Sequence, residues 1–323
     1  MEQTDKQETN YFEEQKNLNP NFETVSIEVA SWAKEYNIFE SDWEKHQVET
    51  QKLYKFASRL YPKASQTELL PISKLILILF LADDRADRCQ AGERVNFWRN
   101  MLTEFDNDKR EKDSLSWESI LSGFSSIYCK HNIASMALSE KNIRTMVRNF
   151  IFAGIWEAEN LLKNKPPLPE NYLKKLKYSS GAEIAIHYLT HIQSNKIDLG
   201  TLYSPELKQL RKTLLLLICL SNDLASFRKE ENSGDFHNLV LLYEIHFKLT
   251  RRESIAKVTE KLKLLKEDYL SLQNQLLNNP GICIEKKKSI CDSFNSLLLG
   301  CEIWAKEDTG RYGGVVTIQM KFN

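Results

Sequence analysis

Apolar residues recur along this chain at three- and four-residue spacing, and no run of short alternating β-branched segments appears. That pattern predicts helices rather than strands. The spacing predicts helices over Glu23–Tyr36, Ser41–Leu60, Thr67–Ala86, Glu93–Asp106, Ser114–Cys129 and Lys141–Lys163. Further on it predicts Pro169–Leu176, Gly181–His191, Pro205–Glu231, Phe236–Lys248, Ser254–Leu276 and Cys283–Trp304. Only 11 Gly and 8 Pro interrupt 323 residues, and neither Asp106–Asp113 nor Lys165–Pro169 reads as more than a connection between helices. An all-α fold is expected, with residues 19–323 forming one helical bundle domain and residues 1–18 a loose tail.

Composition narrows the function classes. The 44 basic and 44 acidic residues cancel, which argues against a nucleic-acid partner. Six cysteines show no CxxC pair and no zinc-ligand spacing, so they read as small buried hydrophobes in a reducing compartment. The polar, acidic start MEQTDKQETNYFEEQ is neither a signal nor an arginine-rich transit peptide. The longest apolar runs, Leu75–Ala82 and Leu214–Leu220, are far short of the roughly 20 residues a membrane span needs. A soluble, cytoplasmic protein is expected.

Two polar stripes carry the chemistry. The first ends a greasy helix with Asp83-Asp84-Arg85-Ala86-Asp87. Residues four apart on a helix are rotated by about 40° and separated by about 6 Å, so Asp83 and Asp87 share a face and Asp84 lies off it. Paired carboxylates repel, and a hard divalent cation relieves that repulsion; the plain alternative is an acidic helix end paired with Arg85 and Arg88. The second stripe is Asn222, Ser226 and Glu230, again at steps of four after an apolar run. An amide carbonyl, a hydroxyl and a carboxylate can hold one magnesium ion through oxygen. Two such stripes, each following an apolar segment, suit helices that face each other across a hydrophobic cavity with metals at its mouth. The matching substrate has an anionic head and a hydrocarbon tail.

With these motifs the chain resembles the class I terpene synthase family in its compact single-domain microbial form. Asp83 to Asp87 is similar to the DDxxD motif, and Asn222 to Glu230 to NDxxSxxxE with Lys229 before the glutamate. Arg311-Tyr312 is similar to the pair that closes on diphosphate. Weaker likenesses are Asn19-Pro20 with Trp32, Phe56–Pro62, Trp156-Glu157-Ala158 and Pro169–Leu173, so the resemblance spans roughly residues 19 to 315. One position departs: Lys177 stands where an arginine diphosphate sensor is usual, before Ser180 as linker and Gly181 as effector. Lysine keeps the charge without the bidentate fork, and Lys174 or Lys175 is an alternative.

The resemblance implies three Mg²⁺ ions, two on Asp83 with Asp87 (Asp84 the weaker ligand) and one on Asn222, Ser226 and Glu230. It implies an isoprenyl diphosphate substrate, with Lys177, Lys229, Arg311 and Tyr312 on the diphosphate and the Gly181 carbonyl facing the developing cation. Phe80, Phe152, Trp156 and Trp304 are the candidate pocket aromatics, and glycines 310, 313 and 314 suit a segment that moves. The expected substrate is farnesyl diphosphate, giving a sesquiterpene; geranylgeranyl diphosphate, a chain-elongating prenyltransferase and a non-catalytic helical binding protein stay open. A homodimer is a further expectation. His187 and His191, four apart without an HExxH glutamate, read as core or surface histidines.

Overall fold

The computed structural model describes residues 17–107, 118–130, 137–194, 197 and 199–312, and among them there is no strand. The helices are α1 (Phe22–Glu35), α2 (Asp42–Thr50), α3 (Leu53–Leu60), α4 (Gln66–Arg88), α5 (Ala91–Asn107), α6 (Glu118–Lys130) and α7 (Ala137–Leu162). They continue as α8 (Pro169–Ser179), α9 (Ala182–Ser194), α10 (Leu199–Leu202), α11 (Pro205–Asn232), α12 (Leu239–Phe247), α13 (Arg251–Asn278) and α14 (Ile284–Ile303). A π-helical turn, Trp304–Asp308, prolongs α14. The all-α expectation is met, and buried apolar side chains from Val25 to Tyr312 form one connected core. No helix among the described residues is long and apolar enough to cross a membrane.

Local chemistry sets the helix starts. Ser65 and Glu68 form a capping box at α4, and Thr250 and Glu253 do the same at α13. Ser204 caps α11 with Pro205 at its first position. Several expected boundaries need correction, among them the start at Lys141 (found at Ala137), the start at Ser254 (found at Arg251) and the end at His191 (found at Ser194). Ser41–Leu60 is two helices, broken where Lys52 takes φ 53° and the Trp304 indole donates to its carbonyl at 3.1 Å. A non-glycine residue in that region is uncommon. The helix expected from Phe236 starts at Leu239, because the Asn238 side chain accepts from Val240 N (2.9 Å) as its cap. Pro169–Leu176 runs on to Ser179, whereas α10 and the π-helical turn carry no periodic signal. Of the expected tail, residues 1–16 lie outside the described residues, as do 114–117 of the helix Ser114–Cys129. Asn17 is anchored, donating to the carbonyls of Arg59 (2.7 Å) and Ser296 (2.8 Å).

The end of α4, which bears the aspartates, is pinned from behind. Arg85 turns away from them and is buried against α2, its Nε donating to Glu44 Oε1 (2.9 Å) and its Nη2 to Oε2 (2.7 Å). Arg88 adds a bond to Glu44 at 3.0 Å. Burial pushes the Glu44 carboxyl upward, and Arg85 overrides it, holding the group below its ordinary value. Glu44→Ala takes the nearest carboxylate from the buried Arg85 guanidinium, so unfolding in urea is expected to show a loss of about 3 kcal/mol. A midpoint within error of the parent would contradict this clamp.

Candidate active site

Along α4, Ile76, Leu79, Phe80, Asp83 and Asp87 fall at steps of three and four and all line one cavity. The same helix face is therefore apolar in depth and acidic at its end. On α11, Ile218, Asn222, Ala225, Ser226, Lys229 and Glu230 form the facing wall with the same gradient. Phe56 and Leu60 of α3, Phe150 of α7, Leu176 of α8, Ala185 of α9 and Leu297 and Cys301 of α14 complete the apolar part. The cavity encloses about 270 Å³.

At the mouth, carboxylate oxygens of Asp83, Asp84 and Asp87 lie within 4.8 Å of one another. Asp83 is half exposed, and partial enclosure together with Asp87 pushes its carboxyl above the ordinary range. Burial acts upward on Asp84 too, but the Arg311 guanidinium overrides it and holds this group down. Arg311 spans Asp84 with Nη1 at 2.9 Å and Nη2 at 2.6 Å, and approaches Asp83 at 3.6 Å. Tyr312 donates to Asn222 Oδ1 at 3.0 Å, and Lys229 reaches Asp87 at 3.2 Å and Asp84 at 3.9 Å. Arg311, Tyr312 and Lys229 thus bridge the two polar stripes across the opening.

Glu230 is the telling member of the second stripe. Its Oε2 is buried and has no hydrogen-bond partner among the described residues. Burial, reinforced by Asp223, pushes its carboxyl up to about 8. A carboxylate oxygen left bare beside Ser226, in a wall facing three clustered aspartates, is the donor set a hard divalent cation would complete. Asp223, between Asn222 and Ser226 in sequence, has its carboxylate already engaged. It accepts from Tyr172 Oη (2.9 Å) and Leu239 N (2.9 Å), and burial raises it to about 7. It ties α11 to α8 and α12 and also lines the cavity beside Asn222 and Ser226.

Not every expected residue reaches the cavity. Phe80 and Trp304 do, in an aromatic cluster with Phe56 (ring centroids 5.7 Å and 4.4 Å from Phe56). Phe152 is corrected: it is 42% exposed with Arg148 stacked 4.6 Å from its ring, because it sits about 200° around α7 from Phe150. Trp156 is also off the wall and packs on His237 at 5.4 Å, whereas the next residue, Glu157, lines it. Ser180 and Gly181 line the cavity, but Lys177 is not brought there; its Nζ lies 4.3 Å above the Tyr178 ring. Lys174 and Lys175 are exposed. Gly181 takes φ 70°, and its carbonyl accepts from Ile184 N (3.1 Å) and Ala185 N (3.2 Å), so it caps α9 instead of standing free toward the cavity. Glycines 313 and 314 lie outside the described residues.

Three further acids on the cavity wall, Glu157, Asp235 and Glu302, were not among the expected site residues. Glu157 is pushed well above its ordinary value by burial and by Asp235 and Asp83. Asp235 meets Arg94 at 3.3 Å and His237 at 2.7 Å. Glu157 could have been found as the position one heptad after Phe150; Asp235 follows the helix and has no periodic signal. His187 lies off the cavity, and burial lowers it to about 4, in keeping with a core histidine.

Comparison with known proteins agrees with this geometry. Residues 74–265, more than half of the chain, match the profile of the family described as terpene synthase family 2, C-terminal metal binding. Microbial terpene synthase-like protein 1 of Selaginella moellendorffii is 23% identical over 317 residues, covering 92% of this chain and 87% of that protein. The 4-epi-cubebol synthase of Streptosporangium roseum, described as cyclizing (2E,6E)-farnesyl diphosphate, is 23% identical over 263 residues, covering 80% and 79%. Among solved structures, linalool/nerolidol synthase from Streptomyces clavuligerus superposes with a TM-score of 0.76 at 15% identity, covering 90% of this chain and 97% of that one.

Proposed function

The chain belongs to the terpene synthase family, and we propose that it ionises farnesyl diphosphate with magnesium and cyclises the resulting cation to a sesquiterpene. The observation that carries this reading is the gradient within one cavity, apolar in depth and ringed at its mouth by both polar stripes, Arg311, Tyr312 and Lys229. Residues 19–323 act in this reading as one catalytic domain.

Asp83 and Asp87 would hold two magnesium ions, and Asn222, Ser226 and Glu230 a third; Glu230 Oε2, buried without a partner, fits that duty. When bound, magnesium neutralises the charge on the departing diphosphate. Arg311, Tyr312 and Lys229 donate charge-assisted hydrogen bonds to the same group, exchanging Asp84, Asn222 and Asp87 for it. Lys177 is a reserve cation at the end of α8, outside the cavity wall. Leu79, Phe150, Leu176 and Leu297 exclude water from the hydrocarbon. The faces of Phe80 and Trp304 stabilise a cation in the cavity by about 0.5–2 kcal/mol each.

A cavity of about 270 Å³ lies just below the usual range for small-molecule sites (about 300–1,000 Å³), which favours a fifteen-carbon over a twenty-carbon chain. The 4-epi-cubebol synthase relative, whose name specifies farnesyl diphosphate, supports the same choice. Purified protein with magnesium and single ten-, fifteen- or twenty-carbon diphosphates is expected to show its highest kcat/KM with farnesyl diphosphate. Larger kcat/KM with geranylgeranyl diphosphate would overturn the substrate, and a lengthened prenyl diphosphate from two substrates would overturn cyclisation.

A further inference from the structure

The segment that bears Arg311 and Tyr312 rests on a built seat. At Gly300 a Cβ would lie 2.3 Å from the Arg59 carbonyl oxygen, so α14 runs directly against the backbone of α3. This contact brings the π-helical turn beside the elbow between α2 and α3. Arg59, 0% exposed, spans Asp308 with Nε at 2.8 Å and Nη2 at 3.1 Å, and Lys55 reaches the same carboxylate at 3.1 Å. The Asp308 side chain is only 5% exposed. The elbow carbonyl of Lys52 takes the Trp304 indole, and Gln51 Oε1 accepts from Arg311 Nη1 at 2.7 Å. Only Thr309 and Gly310 separate Asp308 from Arg311, and Thr309 N is tied to the Trp304 carbonyl at 2.9 Å.

None of Gln51, Lys55 and Arg59 lines the cavity, so none is placed to touch a substrate there. Their polar groups instead fix where the arm leaves α14 and how the Arg311 fork is aimed. A buried, bidentate charge pair is the kind of contact that selects one geometry, because its two parallel bonds fix orientation as well as distance. We propose that Arg59, Lys55 and Gln51 are positioning residues, a seat that holds the Trp304–Tyr312 arm across the cavity mouth. Its role in turnover rests on the reading that Arg311 and Tyr312 close on a diphosphate.

The test pairs backbone amide exchange with kinetics, using the full chain and the variants Asp308→Asn and Gln51→Ala. Exchange over Trp304–Tyr312 is expected to quicken about tenfold or more in Asp308→Asn, as befits loss of a charged hydrogen bond, and by less in Gln51→Ala. Amides of α4 and α11 keep parental protection. Magnesium with inorganic diphosphate is expected to slow arm exchange in the parent and to do so less in the variants. With farnesyl diphosphate, KM rises and kcat falls, and Asp308→Glu recovers part of both. Folded variants whose arm exchanges at the parental rate would overturn the seat; should Asp308→Asn not fold, the half-buried, neutral Gln51→Ala decides it. An arm that loosens in a parent unable to turn over any prenyl diphosphate sinks the catalytic reading and leaves the seat standing.

Discussion

Glu230→Gln is expected to leave the chain folded and to lower turnover of farnesyl diphosphate by about 10²–10³-fold, the scale seen when one preorganised group stabilising a leaving charge is lost. Asn222 and Ser226 are neutral donors, so Glu230 carries the only formal charge of the α11 ligand stripe. Its Oε2 is already dehydrated and unpartnered, and so meets a cation at little further desolvation cost. Glutamine keeps the volume and one acceptor oxygen but loses the charge, and its amide nitrogen cannot ligate. Single-turnover rates, with circular dichroism as a check on folding, separate a lost ligand from a lost fold. Activity within a few-fold of the parent would remove the third-ion assignment.

The second large effect is a stability that turns with pH and metal. Glu230 is raised to about 8 and Asp223 to about 7, both by burial, and Glu157 is raised well above its ordinary value, also by burial first. A group whose folded pKa exceeds its unfolded value contributes stability that is present below the unfolded value and lost as pH rises through the folded one. These three therefore weaken the metal-free protein as the pH climbs above the ordinary carboxylate range, Asp223 up to about 7 and Glu230 up to about 8. The lowered groups act elsewhere: His187 and His191 change below about 6.5, and Glu44, Asp84 and Asp235 below their ordinary carboxylate values. Half-exposed Asp83 is left aside because water screens it. Between pH 6.5 and 8.5 the chelator-treated protein is thus expected to lose melting temperature, about 2–4 °C for each kcal/mol. Magnesium restores it, more at the higher pH, through preferential binding to the folded state. Glu230→Gln flattens the slope. A melting temperature that rises over this interval in metal-free protein would contradict the sign of these shifts.

Much of this site could be read from periodicity, because its two walls are long helices. Steps of four placed Asp83 with Asp87 and Asn222 with Ser226 and Glu230, and the apolar residues preceding each stripe became the cavity walls. Face assignment failed where an aromatic was chosen for its type and not its phase. Phe152 and Trp156 lie on the right helix but turned from the cavity, whereas Phe150 and Glu157, seven apart, share the face that lines it. Contacts between distant segments left no local trace. The Lys52 break depends on Trp304, the start of α12 on Asn238 and Asp223, and the pairing of Arg311 with Asp84 on the seat around Asp308. Asp84 shows the same limit, since sequence alone offered it as a weak ligand and could not show that Arg311 occupies it.

Magnesium-dependent cyclisation is tested by product analysis after incubating the purified chain with farnesyl diphosphate alone, with magnesium and with chelator. A cyclic fifteen-carbon product and one inorganic diphosphate per substrate consumed are expected, both abolished by chelator. Metal-independent turnover, or a protein that binds farnesyl diphosphate with magnesium and never releases diphosphate, would contradict that chemistry.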